Sequence, residues 1–407
     1  EQMIQKSDFI TWIASTVALC LLIYLWVAMI RHHFSEKQLW RHAFITSLIF
    51  TLGIVSVWVC ESYAPSPVRD NSLVFSNRAT VDHFQDDYTV KSIEEYKTPL
   101  LYIPTGLFIQ SIEFLNATNV TLTGYLWQRY PRKYEEKIEY GVIFPEAVKT
   151  TMNENDEYEE GDEIIKSWYF ETTLRESFDY SLYPFDRQLL WARLWHRNFT
   201  DNVVLVPDFK SYDSLHPNTL PGIEQDFVLS GWRLSRTFFD MRINTYNTNF
   251  GNVKFSNRDQ MPELYFNVEL SRNILNPFIA HLFPLVVVLL MLYALVLTIS
   301  KKETSLRIFG FDVSTLIASS SALFFLLLIM HVQLRDELST NSIVYMEYFY
   351  LVSYITILMI TVNSILFSWD PPIKFVEFKD NLIPKLLYWP VLLMWFFVLT
   401  VFIFQQS

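Results

Sequence analysis

Gly310, Ser314, Ile317, Ser321, Phe324 and Leu328 recur at intervals of 4-3-4-3-4 residues, so on a helix they share one face. That face alternates small or hydroxyl side chains with bulky apolar ones. Hydroxyls hold water, and a ring of apolar side chains excludes it by dewetting. The row one residue earlier, Phe309, Val313, Leu316, Ser320 and Leu323, is less polar, and Ser319, Ser320 and Ser321 would also permit close helix packing. A second group is acidic. The run from Glu154 to Glu163 reads either as a solvated loop or as the hard oxygen ligands that calcium takes. Covalent chemistry is not indicated: no nucleophile–base pair, zinc-ligand spacing or phosphate-cradling glycine loop is present. Neither an enzyme nor a cofactor-binding protein is expected. Cys20 and Cys60 lie in apolar runs and read as packed thiols, and His32 and His33 sit in a short basic loop.

The elements that position these residues follow from composition. The 407 residues suffice for two or three domains. They are 51% hydrophobic and 17% aromatic, with only 18% charged, which points to a membrane protein with a folded soluble part. The net charge of −11 disfavours nucleic acid as a partner. Stretches 9–30, 43–60, 277–299, 311–331, 343–367 and 386–404 approach the roughly 20 apolar residues that span a bilayer. The short loops holding Arg31, Lys37 and Arg41, then Lys301, Lys302 and Arg307, then Lys374, Lys379 and Lys385 are basic and belong inside. The loop with Arg335, Asp336 and Glu337 is net acidic and falls outside, with the large polar region. The N-terminus is then also outside, with no signal peptide ahead of it. Either an extracytoplasmic domain with its own anchor precedes Glu1, or the N-terminus is short enough to cross unaided.

Between the second and third apolar stretches the pattern is that of strands. In residues 120–129, Val120, Leu122 and Leu126 fall on one face and Thr121, Thr123, Tyr125, Trp127 and Arg129 on the other. Residues 168–174 and 188–195 are aromatic-rich strands, and Leu264, Phe266, Val268 and Leu270 alternate inward. Turns of Asn, Asp, Pro and Gly between short strands suggest an antiparallel β-sandwich. The fold class expected is therefore α+β: two N-terminal transmembrane helices (1–61), a linker (62–97), an extracytoplasmic β-sandwich (98–272) and a four-helix transmembrane domain (273–407). Asn116, Asn119 and Asn198 match glycosylation acceptors but read as turn residues.

Tyr183-Pro-Phe-Asp-Arg-Gln188 lies between two of these strands and resembles the signature hexapeptide of the pentameric ligand-gated ion channel family. Ser271-Arg272-Asn273 then precedes an apolar helix bearing Pro284, followed by three more helices. Val313-Ser-Thr-Leu-Ile-Ala318 looks like the pore helix of a prokaryotic member, and Ile143-Phe-Pro-Glu146 sits where the family has an aromatic-Pro-acidic turn. The resemblance covers about residues 98–404. It departs from the eukaryotic branch in lacking the Cys pair, whose positions fall near Glu176 and Leu190, and in its brief 368–385 loop. It departs from the whole family in the extra pair of helices before residue 61.

The resemblance implies a bacterial inner-membrane homopentamer with the β-domain in the periplasm. It makes the 310–328 row pore-lining, with Ser314 and Ser321 holding water and Ile317 and Phe324 closing the pore. Cation conduction is expected; Leu306 stands where relatives carry a carboxylate, and Glu303, one turn lower, is the substitute. Asp186 and Arg272 are expected to couple the two domains as a carboxylate–guanidinium pair, with Pro284 in the moving helix. The ligand site is expected between neighbouring outer domains. Its principal side would use Glu146, then Trp195, His196 and Arg197, then Tyr246, Phe250 and Phe255 near a hairpin tip at 247–258; its facing side would use Trp127 and Arg129. Aromatics suit an amine, two arginines a carboxylate, His196 a proton, and the acidic run a divalent cation. Membrane lipid and permeant inorganic ions are the remaining partners. The competing reading is a membrane sensor that binds ligand without conducting. The extra helices are expected to pack against the last helix.

Overall fold

The computed structural model describes Cys20 and residues 35–64, 72–96, 100–134, 138–198, 203–227, 229–248, 250–251, 261–303, 305, 307, 310–340, 342–371 and 373–406. The apolar stretch 9–30 apart from Cys20, and Leu306, Phe309 and Phe255, lie outside them. Two compact units emerge, one of Glu1–Pro65, Tyr180–Asp186 and Asn273–Ser407, the other of Ser66–Asp179 and Arg187–Arg272.

The second unit is built from strands β1 (Ser72–Phe75), β2 (Leu101–Phe114), β3 (Asn119–Pro131), β4 (Val142–Ile143), β5 (Ala147–Glu160), β6 (Glu163–Arg175), β7 (Arg187–His196), β8 (Val203–Pro207), β9 (Trp232–Asn244) and β10 (Met261–Arg272). They form two five-stranded sheets, ordered β1-β9-β10-β7-β4 and β5-β6-β3-β2-β8. β8 runs parallel to β2, so the second sheet is mixed where an antiparallel one was expected. The alternation read in β3 and β10 holds. Leu122 and Leu126 share one hydrophobic cluster with Leu264, Phe266, Val268 and Leu270, so inward side chains of both sheets meet in a single core. Fully burying each such side chain contributes about 1.5–3 kcal/mol.

The 62–97 segment, expected as a linker, instead carries β1 and helix α2 (Arg78–Tyr96). β1 pairs with β9, and the T-shaped contact of Phe75 with Phe84 carries α2 into the core. Val81, Phe84 and Tyr88 are spaced 3 and 4 apart, the signal of an apolar helical stripe. Glu176 is buried, and its carboxylate accepts from the Trp191 N–H at 3.2 and 3.3 Å. β4 covers β7 only at Trp195 and His196, so that amide lies on an uncovered edge and needs this acceptor.

Among the described residues of the first unit, five helices are long and apolar enough to cross a membrane: α1 (Glu36–Ser62), α3 (Leu275–Thr298), α4 (Val313–Leu338), α5 (Tyr345–Phe367) and α6 (Leu382–Gln405). Ser35 caps α1 in a reciprocal pair with Gln38, the Ser35 N–H donating to Gln38 Oε1 at 2.8 Å. α1, the second of the two extra helices, lies along α6, as expected; the first lies outside the described residues. Phe50 meets Phe397 at 5.8 Å, and Gly53 admits the same ring: a Cβ there would stand 2.6 Å from Phe397. Cys20 and Cys60 are both exposed rather than packed. Cys60 lies on a face of α1 turned away from α6, and an apolar run does not by itself say which face is covered.

Candidate functional site

A cluster of charge and aromatic rings forms on the face of the first sheet that points away from the core. Successive residues of a strand face opposite ways. With Leu190, Ala192 and Leu194 inward, β7 sends Arg193 and Trp195 to this face; with Leu264 and Phe266 inward, β10 sends Glu263 and Tyr265. Phe144, buried in the core, anchors the turn that brings Glu146 alongside, closed by the Ala147 N–H donating to Phe144 O at 3.1 Å. Arg193 is the centre. Its Nη2 donates to Glu146, and its Nη1 donates to Tyr246 Oη at 3.0 Å and Glu263 Oε2 at 3.3 Å. The Tyr246 hydroxyl donates to Glu263, and Asn244 Nδ2 donates to Tyr265 Oη at 2.8 Å. Burial, then the Glu263 carboxylate, pushes the Tyr246 hydroxyl above its ordinary range. Burial opposes the Arg193 charge most strongly of any single influence, but the bond to Glu146 and the nearby Tyr265, Glu146 and Glu263 groups together outweigh it and hold the guanidinium ionised.

Three rings flank these charges. Trp195 meets Tyr246 and Phe250 edge-on at 5.9 Å each, and Tyr246 meets Phe250 at 5.2 Å. The Arg193 guanidinium lies 5.2 Å from the Trp195 ring centre. Two carboxylates thus face one guanidinium beside three rings, and Glu146 Oε2 and Arg193 Nε, although buried, have no hydrogen-bond partner among the described residues. Such a site offers a hydrogen-bond acceptor, excess negative charge and aromatic faces, the chemistry that takes an ammonium group.

Of the expected principal-side residues, Glu146, Trp195, Tyr246 and Phe250 come together. His196 and Arg197 do not. His196 points into the core, where Nε2 lies 3.3 Å from Tyr130 Oη and Nδ1 accepts from the Asn198 N–H at 3.1 Å. Burial, with help from Arg197, pushes its imidazole down to about 4, so it stays neutral and cannot serve as a proton sensor near neutral pH. Arg197 is exposed and lines a separate groove with Glu139, Ile143 and Thr150. Arg193 and Glu263 were not anticipated. Their signals were present: Arg193 is two residues before Trp195 on one strand, and Glu263 interrupts an apolar alternation.

Trp127 and Arg129 form another cluster, on the second sheet around buried Asp208. The Trp127 indole N–H donates to Asp208 Oδ2 at 2.9 Å, and Arg129 Nε donates to the same oxygen at 2.8 Å. Gly106 makes room for the indole, since a Cβ there would sit 2.2 Å from the ring. Arg129 also donates to Glu160 at 2.6 Å and is itself buried, so it is not the outward cation that the alternation suggested. The acidic run is not a loop. It forms the edge strand β5 and its turn into β6, and its carboxylates pair with cations: Glu157 with Lys166 at 2.9 Å, Glu159 with Arg132, Glu160 with Arg129. No group of three or more metal-ligating side chains that could hold a metal occurs among the described residues.

On α4 the buried stripe is Leu316, Ser320, Leu323, Leu327, Met330, Leu334 and Leu338. Ser314, Ile317, Ser321, Phe324 and Leu328 fall outside it, Phe324 at 37% and Leu328 at 38% exposure. The less polar row is thus the one covered by its own chain. Gly310 does not belong to the helical row: it precedes α4 with φ +59°, a left-handed conformation that favours glycine. Asp312 caps the helix by accepting from the Thr315 N–H at 2.9 Å and from the Thr315 hydroxyl at 3.1 Å. Glu303 is exposed. Pro284 sits just beyond a π-turn, Phe278–Leu282, in α3; a proline has no N–H to continue the helical ladder, and the wide turn adjoins that gap. Tyr183, Phe185 and Asp186 are buried in the first unit, where Ser181 O accepts from the Tyr345 N–H at 2.7 Å. Arg272, in the second unit, stacks over Trp232 at 4.1 Å.

Compared with known proteins, the chain matches no protein-family model and no curated protein.

Proposed function

We propose that this chain is one subunit of a homopentameric ligand-gated ion channel of a bacterial inner membrane. In this reading the two sheets form a β-sandwich outside the membrane, and ligand bound there opens a pore lined by α4 from each subunit. The observation that carries the reading is the division of α4. One stripe is covered by the rest of the chain, while the row of Ser314, Ile317, Ser321, Phe324 and Leu328 is left for a partner or for water. The ligand assigned to the Glu146–Arg193–Glu263 cluster is a small amine, because the carboxylates outnumber the guanidinium. Asp186, Arg272 and Pro284 keep a coupling role, and Asp312 joins Glu303 as a source of cation preference near the start of α4.

Thiol accessibility tests the pore face. With Cys20 and Cys60 replaced by Ser, a charged methanethiosulfonate should alter the current of Ser314→Cys and Ser321→Cys subunits in bilayers. It should leave Leu316→Cys and Leu323→Cys unchanged. Modification confined to the second pair would contradict the assignment. A pentamer that never conducts would favour the non-conducting sensor.

A further inference from the structure

α1 and α6 run side by side in the same direction. Leu39 and Ala43 meet Leu382 and Leu386 near their starts, and Phe50 meets Phe397 further along. α3 ends beside the start of α6, where the Lys301 N–H donates to Asp380 at 2.8 Å. Between the three helices lies a groove of about 300 Å³. Its wall is apolar below its mouth: Phe44 and Leu48 are 68% and 45% exposed, and the Ser47 and Thr51 hydroxyls donate to carbonyls of their own helix at 2.9 Å. From Trp40 to Thr51 the helix rises about 16 Å at 1.5 Å per residue, close to the roughly 15 Å depth of one leaflet's hydrocarbon.

The mouth has a different chemistry. Trp40, Tyr293, Trp389 and Lys385 surround it, with Tyr293 edge-on to Trp389 at 5.6 Å. Aromatic rings with a cation mark the headgroup level of a bilayer. The Lys385 ammonium donates to the Asp380 carbonyl at 3.0 Å. Asp380's carboxylate stands 3.9 Å from both Lys385 and Lys302, and it already accepts from Ser300 Oγ at 2.6 Å. One carboxylate therefore faces two ammonium groups; with the Lys301–Glu377 pair beside it and Glu36, Lys37 and Arg41 on the first turns of α1, cations outnumber carboxylates near the mouth by five to three.

We propose that this groove binds one anionic glycerophospholipid, its phosphate at Lys385 between Trp40 and Trp389 and one acyl chain along Phe44 and Leu48. The positive mouth selects the anionic headgroup, and the leaflet-deep apolar wall selects the chain. The site needs only that these helices cross a membrane, so it stands apart from conduction.

Native mass spectrometry of the full chain, released from vesicles of phosphatidylglycerol and phosphatidylcholine in equal parts, tests it. The wild type should retain one phosphatidylglycerol per chain, in preference to phosphatidylcholine by about fivefold or more. Lys385→Gln should erase that preference and Lys385→Arg keep it. Ser47→Phe, which fills the groove, should lose both lipids. Equal retention of the two lipids by the wild type would overturn the proposal without any variant. So would undiminished phosphatidylglycerol preference in folded Lys385→Gln.

Discussion

His196 and Trp195 are chain neighbours that meet opposite environments. Trp195 lies among rings and charges on the outer face; His196 is 2% exposed on the core side. The folded state disfavours the imidazolium, so its pKa falls from 6.5 to about 4. The contribution to stability is present above the unfolded pKa and is lost as pH falls through that window. At pH 5 the loss is about 2 kcal/mol relative to pH 8. Thermal unfolding of the full chain should show a smaller pH 8-to-5 drop in Tm for His196→Gln than for the wild type; equal drops would remove His196 as the titrating group. The misgrouping of Trp195, His196 and Arg197 came from treating chain proximity as spatial proximity, which a strand's period of two forbids.

At the scale of elements, legibility followed periodicity. β3 and β10 were readable because each buries one apolar face, and α3 to α6 because apolar length alone marks them. β5 was not readable: as an exposed edge strand it carries polar residues on both faces, and its carboxylates are held by cations on β3 and β6. The Asp208 cluster was hidden for another reason. Trp127, Arg129 and Asp208 meet only through the β2–β3 and β2–β8 pairings, and no local pattern announces such a meeting. The role of α1 also needed the fold. Trp58 donates to Tyr345 Oη at 2.7 Å, and its ring meets Phe278 edge-on at 5.2 Å and Phe185 of the hexapeptide at 5.8 Å. The extra helix is thereby tied to the loop that carries the family resemblance. Trp58→Phe, which removes the N–H donor but keeps a ring, should cost about 1 kcal/mol of stability. Trp58→Ala, which also empties the aromatic cluster, should cost about 3 kcal/mol. Both are measurable as Tm shifts, and equal, negligible shifts would show that α1 is not held there.

At the scale of the whole molecule, the proposed function assigns ligand recognition to the β unit, with its largely buried charged site, and conduction to the helical unit, where α4 leaves one row of mixed polar and apolar side chains uncovered. Ile317 and Phe324 are bulky side chains on that row, and a ring of either would close a narrow passage by dewetting. The most direct measurement is current across planar bilayers containing the reconstituted chain, recorded while small amines are added and pH and calcium are varied. Ligand-gated conduction predicts a current that appears with an amine, is lost in Glu146→Gln, and persists without ligand in Ile317→Ala. Silence under every condition from a pentamer of verified mass would contradict it.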